Sequence, residues 1–306
     1  MTIEKHKKFS DEQIQRVNNI DLVDMLRRQG ETLKKIGKVY RWMRYDSTVI
    51  YGQKWFRHSR QVGGGPIQFM KEFYNMDFVE AVKYLLGGED GAEFARTEAT
   101  DYIKPEFKAP KFSDNMHRTF AYLTKTRKID ADVVQFFVKE KKIFETAEHH
   151  NIAFVGYDER GEMKQAHLRS TQSNKRFFMD ADGSDKQYYF RYEGKGQDVF
   201  VFEAPIDMLS YITMNKDNWQ EHNYVCLGGV ALYSLENILK NNPNINTVHI
   251  CVDNDKRGHE TAEKIEMLSD KKGIECDRLL PKYKDWNEDL QMIREQEQNE
   301  NFDFTM

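Results

Sequence analysis

The chain has 306 residues, of which 39% are hydrophobic and 31% are charged, and its net charge is −4. This length allows two or three domains, and an aromatic content of 13% supplies bulk for their cores, which excludes low-complexity disorder over most of the chain. No apolar run approaches the ~20 residues of a membrane-spanning helix, and the basic N-terminus lacks the apolar segment of a secretory signal. Three scattered cysteines argue against a disulfide framework. We therefore expect a cytoplasmic protein with no membrane partner.

The net charge hides an asymmetry between the two ends of the chain. Residues 1–60 hold 14 Lys and Arg against 7 Asp and Glu, a net of +7, so the other 246 residues carry −11. A basic end joined to an acidic remainder is compatible with nucleic-acid contact at the basic end. A solvated basic surface without a partner explains the charge equally well.

The first 88 residues predict a small α+β domain. Apolar residues at helical spacing over 11–30 predict a helix that ends at Gly30. Residues 38–61, rich in β-branched and aromatic types, predict short strands. The run Gly63–Gly65 interrupts this pattern and predicts a loop, after which Pro66 begins two helices that end near residue 88.

The middle of the chain predicts a linker and a mixed α+β domain. Residues 89–112 carry prolines and many charges without periodicity, which is typical of a linker. Short helices are predicted at 114–125 and 130–140, followed by a strand pair over 151–170. We assign 113–196 to this domain.

From residue 198 onward, four apolar strands alternate with helices. This alternation predicts an α/β fold with a Rossmann-like parallel sheet flanked by helices over 197–292. The acidic tail, 293–306, is expected to fray.

Acidic residues follow two strands of the predicted parallel sheet. Glu203 ends the first strand, and Asp253 and Asp255 end the third. The carboxyl ends of parallel strands meet at one edge, where ligands bind, and carboxylates there suit Mg²⁺. Ordinary structural roles remain open, because Asp207 lies in a first helical turn and Asp255 is placed to cap a helix.

Four motifs in this region resemble the TOPRIM domain of DnaG-type primases and type IA topoisomerases. They are VFEAPID (201–207), LGG (227–229), VDNDKRG (252–258) and KDWNEDL (284–290). The resemblance implies that Mg²⁺ or Mn²⁺ is the cofactor and that the catalytic and metal-binding acids are Glu203, Asp207, Asp253, Asp255 and Asp285. Two residues depart from the family pattern: Ala204 replaces the usual glycine of primases, and Asn287 replaces a second aspartate.

The middle region resembles the part of DnaG-type primases that precedes TOPRIM, and more closely TOPRIM proteins of conjugative plasmids and transposons, the LtrC-like group. The resemblance implies a basic ridge that faces the acids and binds nucleotide or template phosphates. Its counterparts here are Arg169 in AHLRS, Lys175 or Arg176 in NKRFF, and Lys186 in GSDK. An ordinary charged surface on a strand pair is the alternative.

The N-terminal domain resembles the primase zinc-binding domain in outline, without its zinc ligands. Arg44, Ser47, Arg57 and Arg60 stand in the ligand positions, and one nearby histidine, His58, cannot build a four-ligand site. We expect no zinc and a core of aromatic residues instead, namely Trp42, Tyr45, Trp55, Phe56 and Phe69. Arginines interleaved with aromatic rings are typical of single-strand binding, which makes Arg44, Arg57 and Arg60 candidate DNA-binding residues. A plain core is the alternative, and it is the favoured explanation for Trp42 and Trp55 but not for the arginines.

Taken over residues 15–292, the resemblance implies a primase of a plasmid, phage or transposon. Such an enzyme is a template-directed nucleotidyltransferase that makes short RNA primers on single-stranded DNA during replication or conjugative transfer. Its partners would be single-stranded DNA, ribonucleotides and a helicase or relaxase. The alternatives are a TOPRIM metal-dependent nuclease and a non-catalytic single-stranded-DNA-binding accessory. A type IA topoisomerase is disfavoured because the chain is too short for its nucleophile-bearing domains.

Overall fold

The computed structural model describes residues 9–45, 47–58, 60, 62–87, 106–172, 177–229 and 231–303. The chain divides into two compact units, Met1–Lys104 and Pro105–Met306. In the described part of the chain, no helix is both long and apolar enough to cross a bilayer.

Over its described residues, the first unit is a five-stranded antiparallel sheet with two helices before it and two after it. The helices are α1 (Asp11–Asn18), α2 (Leu22–Arg28), α3 (Pro66–Tyr74) and α4 (Phe78–Gly87). The strands are β1 (Leu33–Ile36), β2 (Val39–Trp42), β3 (Thr48–Tyr51), β4 (Lys54–Arg57) and β5 (Val62–Gly64). Strand order in the sheet follows chain order.

Two predictions for this unit are wrong in detail. The helix predicted over 11–30 is two helices, because the Asp21 carboxylate accepts backbone hydrogen bonds from Val23 and Asp24 and so caps a second helix. The predicted glycine loop instead continues strand β5 as far as Gly64. A Cβ at Gly63 would lie 2.6 Å from the Trp55 carbonyl oxygen, so the absence of a side chain lets β5 approach β4.

The core of the first unit is a cluster of aromatic rings between the sheet and the helices. The ring centroids of Trp42 and Trp55 each lie 5.0 Å from that of Phe73. Four of the five aromatic residues expected in this core lie in it, and the fifth, Phe56, is half-buried outside it. Packing of these aromatic rings therefore stabilises the sheet against the helices.

The second unit begins with α5 (His117–Ala121), a wide helical turn at Tyr122–Thr126, and α6 (Ala131–Lys139). An antiparallel sheet follows, with strands β6 (Ile143–Glu145), β7 (Ile152–Tyr157), β8 (Met163–Arg169) and β9 (Phe178–Asp180) in chain order. The two predicted helices and the predicted strand pair are present.

A second sheet, mostly parallel, forms the rest of this unit. Its strands are β10 (Arg191–Tyr192), β11 (Asp198–Phe202), β12 (Asn223–Cys226), β13 (Thr247–Ile250) and β14 (Glu275–Arg278), in the order β10-β12-β11-β13-β14. The helices are α7 (Pro205–Met214), α8 (Tyr233–Asn241), α9 (Lys256–Lys272) and α10 (Trp286–Asp303). The four predicted strands are parallel, and β10 adds an antiparallel edge that the sequence did not indicate.

One hydrophobic core runs through the second unit across the predicted boundary at 196/197. It joins Phe137, Phe154 and Phe190 on one side of that boundary to Phe202 and Trp286 on the other. Its continuity means that the predicted middle and parallel-sheet domains share their packing.

The expected fraying tail is helical instead, because α10 continues to Asp303. Arg294 holds the helix in place by donating to Asp130 Oδ1 at 2.7 Å and to Glu297 Oε2 at 2.9 Å. An i,i+3 ion pair and a run of Glu and Gln favour helix in this segment.

Candidate active site

Five acidic residues lie around the carboxyl edge of the parallel sheet. Glu203 follows β11, and Asp253 and Asp255 follow β13, which is the parallel neighbour of β11. Asp207 lies in the first turn of α7, and Asp285 directly precedes α10. The topology therefore brings the predicted acids to one edge, where ligands of such sheets bind.

Of these five acids, Glu203 and Asp253 each have one carboxylate oxygen that lacks a partner among the described residues. Glu203 Oε1 and Asp253 Oδ1 are buried and have no hydrogen-bond partner. Burial, reinforced by the negative charges of Glu203, Asp285 and Asp255, raises the pKa of Asp253 to about 7. Burial also raises the pKa of Glu203, although the positive charge of Arg257 opposes this shift.

Asp255 and Asp285 act as helix caps. Asp255 Oδ1 accepts the backbone N–H groups of Arg257 and Gly258 at 2.9 Å each, which begins α9. Asp285 Oδ1 accepts the N–H of Glu288 at 2.8 Å, which begins α10. Each acid therefore has one oxygen committed to the backbone, and the structural role that the sequence left open for Asp255 is present.

Gly258 explains how α9 packs against the acidic loop. A Cβ at this position would lie 1.9 Å from the Asp253 carbonyl oxygen. Glycine is therefore required for the helix to begin so close to Asp253. The Trp286 indole N–H donates to the Cys251 carbonyl oxygen at 2.8 Å and ties α10 to the same loop.

Asp207 is buried in the protein and has little contact with solvent (8% exposed). Its Oδ1 lies 3.4 Å from the Asn287 backbone nitrogen, which donates a hydrogen bond. Burial, together with the charges of Asp285 and Asp253, raises the pKa of Asp207 well above its usual range. The hydrogen bond from Asn287 opposes this shift, and the role of Asp207 as a catalytic or metal-binding acid stays a prediction.

The predicted set of metal-binding acids is not assembled as one group. Among all the residues that the structure describes, no group of three Asp, Glu, His or Cys side chains is close enough to hold one metal ion. The pair Glu203 and Asp253 nevertheless fits Mg²⁺, because its two unpartnered oxygens are hard anionic donors.

Comparison with known proteins identifies this part of the chain. Residues 200–290 match the family model described as Toprim-like. We refer to this range, by its similarity to that model, as the Toprim-like domain. Residues 121–196 match a second family model, described as a protein of unknown function (DUF3991).

Most of the chain is also similar to three individual proteins. An uncharacterized protein of Bacillus anthracis is 27% identical over 323 residues, which cover 96% of this chain and 93% of that protein. The zinc-binding and RNA polymerase domains of Aquifex aeolicus primase are similar at 16% identity, over 94% of this chain and 85% of that one, with a TM-score of 0.40. The primase fragment of the bacteriophage T7 primase-helicase protein is similar at 15% identity, over 83% and 93%, with a TM-score of 0.46.

Of the four basic residues predicted to face the acids, one, Arg169, interacts electrostatically with an acid of the Toprim-like domain. Arg169 ends β8, and its positive charge lowers the pKa of Asp207, against the dominant effect of burial. Lys186 begins a short 3-10 turn, and its Nζ lies 3.5 Å from Asp180 Oδ2. Lys175 and Arg176 lie outside the described residues.

The arginines predicted to bind DNA in the first unit are held by carboxylates. Arg44 Nη2 lies 2.8 Å from Glu31 Oε1. Arg57 and Arg60 both reach Glu72 Oε1, at 2.9 Å and 3.2 Å. Arg57 is also largely buried (8% exposed). Contact of these three residues with DNA stays a prediction.

Two residues near the Toprim-like domain were missed by the sequence analysis. Tyr122 and Arg127 lie in the wide turn after α5, and Arg127 hydrogen-bonds to Asn287 at the start of α10. Tyr122 lies in the predicted helix over 114–125, where an aromatic residue is explained by packing alone. Arg127 follows that helix, where a basic residue is common. No local signal separates them from structural residues.

Proposed function

We propose that the chain is a primase-type nucleotidyltransferase of a plasmid, phage or transposon, which joins ribonucleotides on single-stranded DNA. The observation that carries the proposal is the pair Glu203 and Asp253. Both acids end neighbouring strands of a Toprim-like domain, and each keeps a buried oxygen free of hydrogen bonds. The four sequence motifs that surround them support the same chemistry.

The pair Glu203 and Asp253 would hold Mg²⁺ or Mn²⁺. Mg²⁺ is usually bound by one or two carboxylates, with water and substrate phosphates as further ligands, so a third protein carboxylate is not required. The bound ion would supply neutralisation of charge on the transferred phosphoryl group.

The other residues of the site would position and neutralise substrates. Asp255 and Asp285 fix the starts of α9 and α10 and so hold the acidic loop in place. Arg169 and Lys186, with Lys175 or Arg176, would bind phosphates opposite the acids. Residues 1–88 would recognise the template, and a helicase or relaxase would bring the chain to single-stranded DNA.

Primer synthesis on single-stranded DNA tests the proposal. The native chain is incubated with template, ribonucleotides and Mg²⁺ or Mn²⁺, beside Asp253→Asn and the matched control Glu263→Gln. Glu263 is an exposed acid on α9. We expect short RNA products from the native chain and from the control, and none from Asp253→Asn.

Other outcomes would identify the alternatives. Cleaved DNA without RNA, lost in Asp253→Asn, would identify a nuclease. DNA binding with neither product would identify an accessory protein. Either outcome contradicts the proposal.

A further inference from the structure

Phe178 is an exposed aromatic residue on a sheet face that is otherwise packed. It begins β9, the last strand of the antiparallel sheet, and pairs directly with Arg169 of β8. Cross-strand partners, and residues two apart on one strand, share a face of the sheet, so this face also carries His167 and its partner Phe154. Both of these are buried, whereas Phe178 is 47% exposed.

Two further rings connect Phe178 to the candidate active site. The ring centroid of His167 lies 6.2 Å from that of Phe178 and 5.6 Å from that of Tyr189. Tyr189 is buried and packs on Gly228, where an added Cβ would lie 2.1 Å from a ring carbon. The Gly228 N–H in turn donates to the Glu203 carbonyl oxygen at 3.1 Å. Consecutive contacts therefore link Phe178 to an acid of the site.

Asp180 holds the middle ring of this series in place. It is the cross-strand partner of His167, and its Oδ1 lies 3.0 Å from Nδ1 of the histidine. Its Oδ2 lies 3.5 Å from Lys186 Nζ. Because the carboxylate is held from both sides, the histidine ring is a fixed support for Phe178, which stays accessible to solvent.

The position of the Phe178 ring matches what a nucleotide presents. A nucleotide has a flat base next to an anionic phosphate, and proteins that bind single strands combine aromatic rings with cations to hold these two parts. Phe178 and Arg169 leave the sheet side by side on one face. A single exposed apolar residue needs no explanation, but this one ends a series of packed rings and adjoins a cation.

We propose that Phe178 stacks on a nucleobase beside the candidate active site. His167, Asp180 and Tyr189 are positioning residues that fix the ring relative to the Toprim-like domain. Such stacking accepts any base, because every base has a flat face. The inference rests on the proposed function for the source of the base, which is either a nucleic acid strand or a free nucleotide.

Binding without metal tests this contact separately from the chemistry. In EDTA, the full chain is titrated with a short single-stranded DNA and, in a second series, with ATP. We expect Phe178→Ala to weaken binding of one or both probes about tenfold, and Phe178→Tyr, which keeps an aromatic ring, to bind as the native chain does. The matched control is Met267→Ala, which removes an exposed apolar side chain of α9 and should leave both affinities unchanged.

Two further measurements separate stacking from a structural role. Phe178→Leu keeps an apolar side chain without an aromatic ring, so it should bind as weakly as Phe178→Ala. An abasic strand of the same length keeps its phosphates but offers no base, so the native chain and Phe178→Ala should bind it equally. A structural role predicts the opposite in both cases, namely native-like binding by Phe178→Leu and weaker binding of the abasic strand by Phe178→Ala. Thermal unfolding of each variant confirms that the chain remains folded.

The two probes identify the source of the base. Loss of DNA binding alone assigns Phe178 to a strand, and loss of ATP binding alone assigns it to a nucleotide. Equal binding by the native chain and Phe178→Ala, or no binding of either probe by the native chain, overturns the inference. Because no metal is present, failure of primer synthesis would leave a loss of base stacking standing, and equal binding would leave the primer assay to decide the proposed function.

Discussion

Glu203 and Asp253 end neighbouring parallel strands, and each keeps one buried oxygen that no protein group satisfies. A buried polar group without a partner costs about 1–3 kcal/mol, and the mutual repulsion of two carboxylates adds to that cost. Protons and cations both relieve it. The two therefore compete for the same oxygens.

Mg²⁺ binding should strengthen as the pH rises through 7. The pKa of Asp253 is raised to about 7, so below that pH a proton occupies the carboxylate that the ion needs. We expect the affinity for Mg²⁺ to increase from pH 6 to pH 8 and to level off above it, as measured by calorimetry. Asp253→Asn should abolish the binding. An affinity that does not change with pH would contradict the competition.

The metal-free protein should lose stability as the pH rises. The folded-state pKa of Asp253 lies above its unfolded value, so the folded chain holds the proton more tightly. Its contribution is complete below the unfolded pKa near 4 and is lost as the pH passes about 7. In thermal unfolding in EDTA, the stability of Asp253→Asn relative to that of the native chain should increase between pH 5 and pH 8. A constant difference between the two would show that the pKa is not raised.

The ion pairs on Glu72 should stabilise the first unit. Glu72 holds the largely buried Arg57 as well as Arg60, and removal of its charge leaves Arg57 without that carboxylate. We expect Glu72→Gln to lower the free energy of unfolding by about 2–3 kcal/mol in chemical denaturation. The control is Asp24→Asn, which breaks the exposed Asp24–Arg28 pair and should cost only about 0.5 kcal/mol. Equal effects of the two changes would refute the role of Glu72.

Gly258→Ala should disturb the acidic loop. The added methyl group would collide with the Asp253 carbonyl oxygen, so α9 or the loop must move. We expect a loss of about 1–3 kcal/mol in stability and weaker Mg²⁺ binding. Gly87→Ala serves as the control, since no atom of the described residues lies within 4 Å of its added Cβ. Native-like Mg²⁺ binding by Gly258→Ala would show that the loop tolerates the shift.

Local patterns predicted the parallel sheet and the position of its acids. Strand and helix periodicities alternate strongly after residue 198, and acids at strand ends must meet at one edge once the strands are parallel. The antiparallel edge strand was missed because two residues, Arg191 and Tyr192, carry no period. The sequence left a capping role open for Asp255 beside the metal role, and the structure shows that one of its oxygens accepts the N–H groups at the start of α9.

Contacts between side chains that are far apart in the chain could not be predicted from the sequence. Arg44 and Glu31 are 13 residues apart, and Arg57 and Glu72 are 15 apart, so their pairing depends on the folded sheet and helices. Arg127 and Asn287 are separated by 160 residues. The wide turn at Tyr122 is also invisible to a search for a 3.6-residue period.

The hydrophobic core that crosses residues 196 and 197 has a consequence for how such proteins diversify. Two segments that match separate family models share the stacking of Phe137 on Trp219, whose ring centroids lie 5.7 Å apart. Recombination that exchanged only one segment would leave large apolar side chains facing a foreign surface. The two segments are thus expected to be inherited together, and substitutions at their shared surface to accumulate as matched pairs.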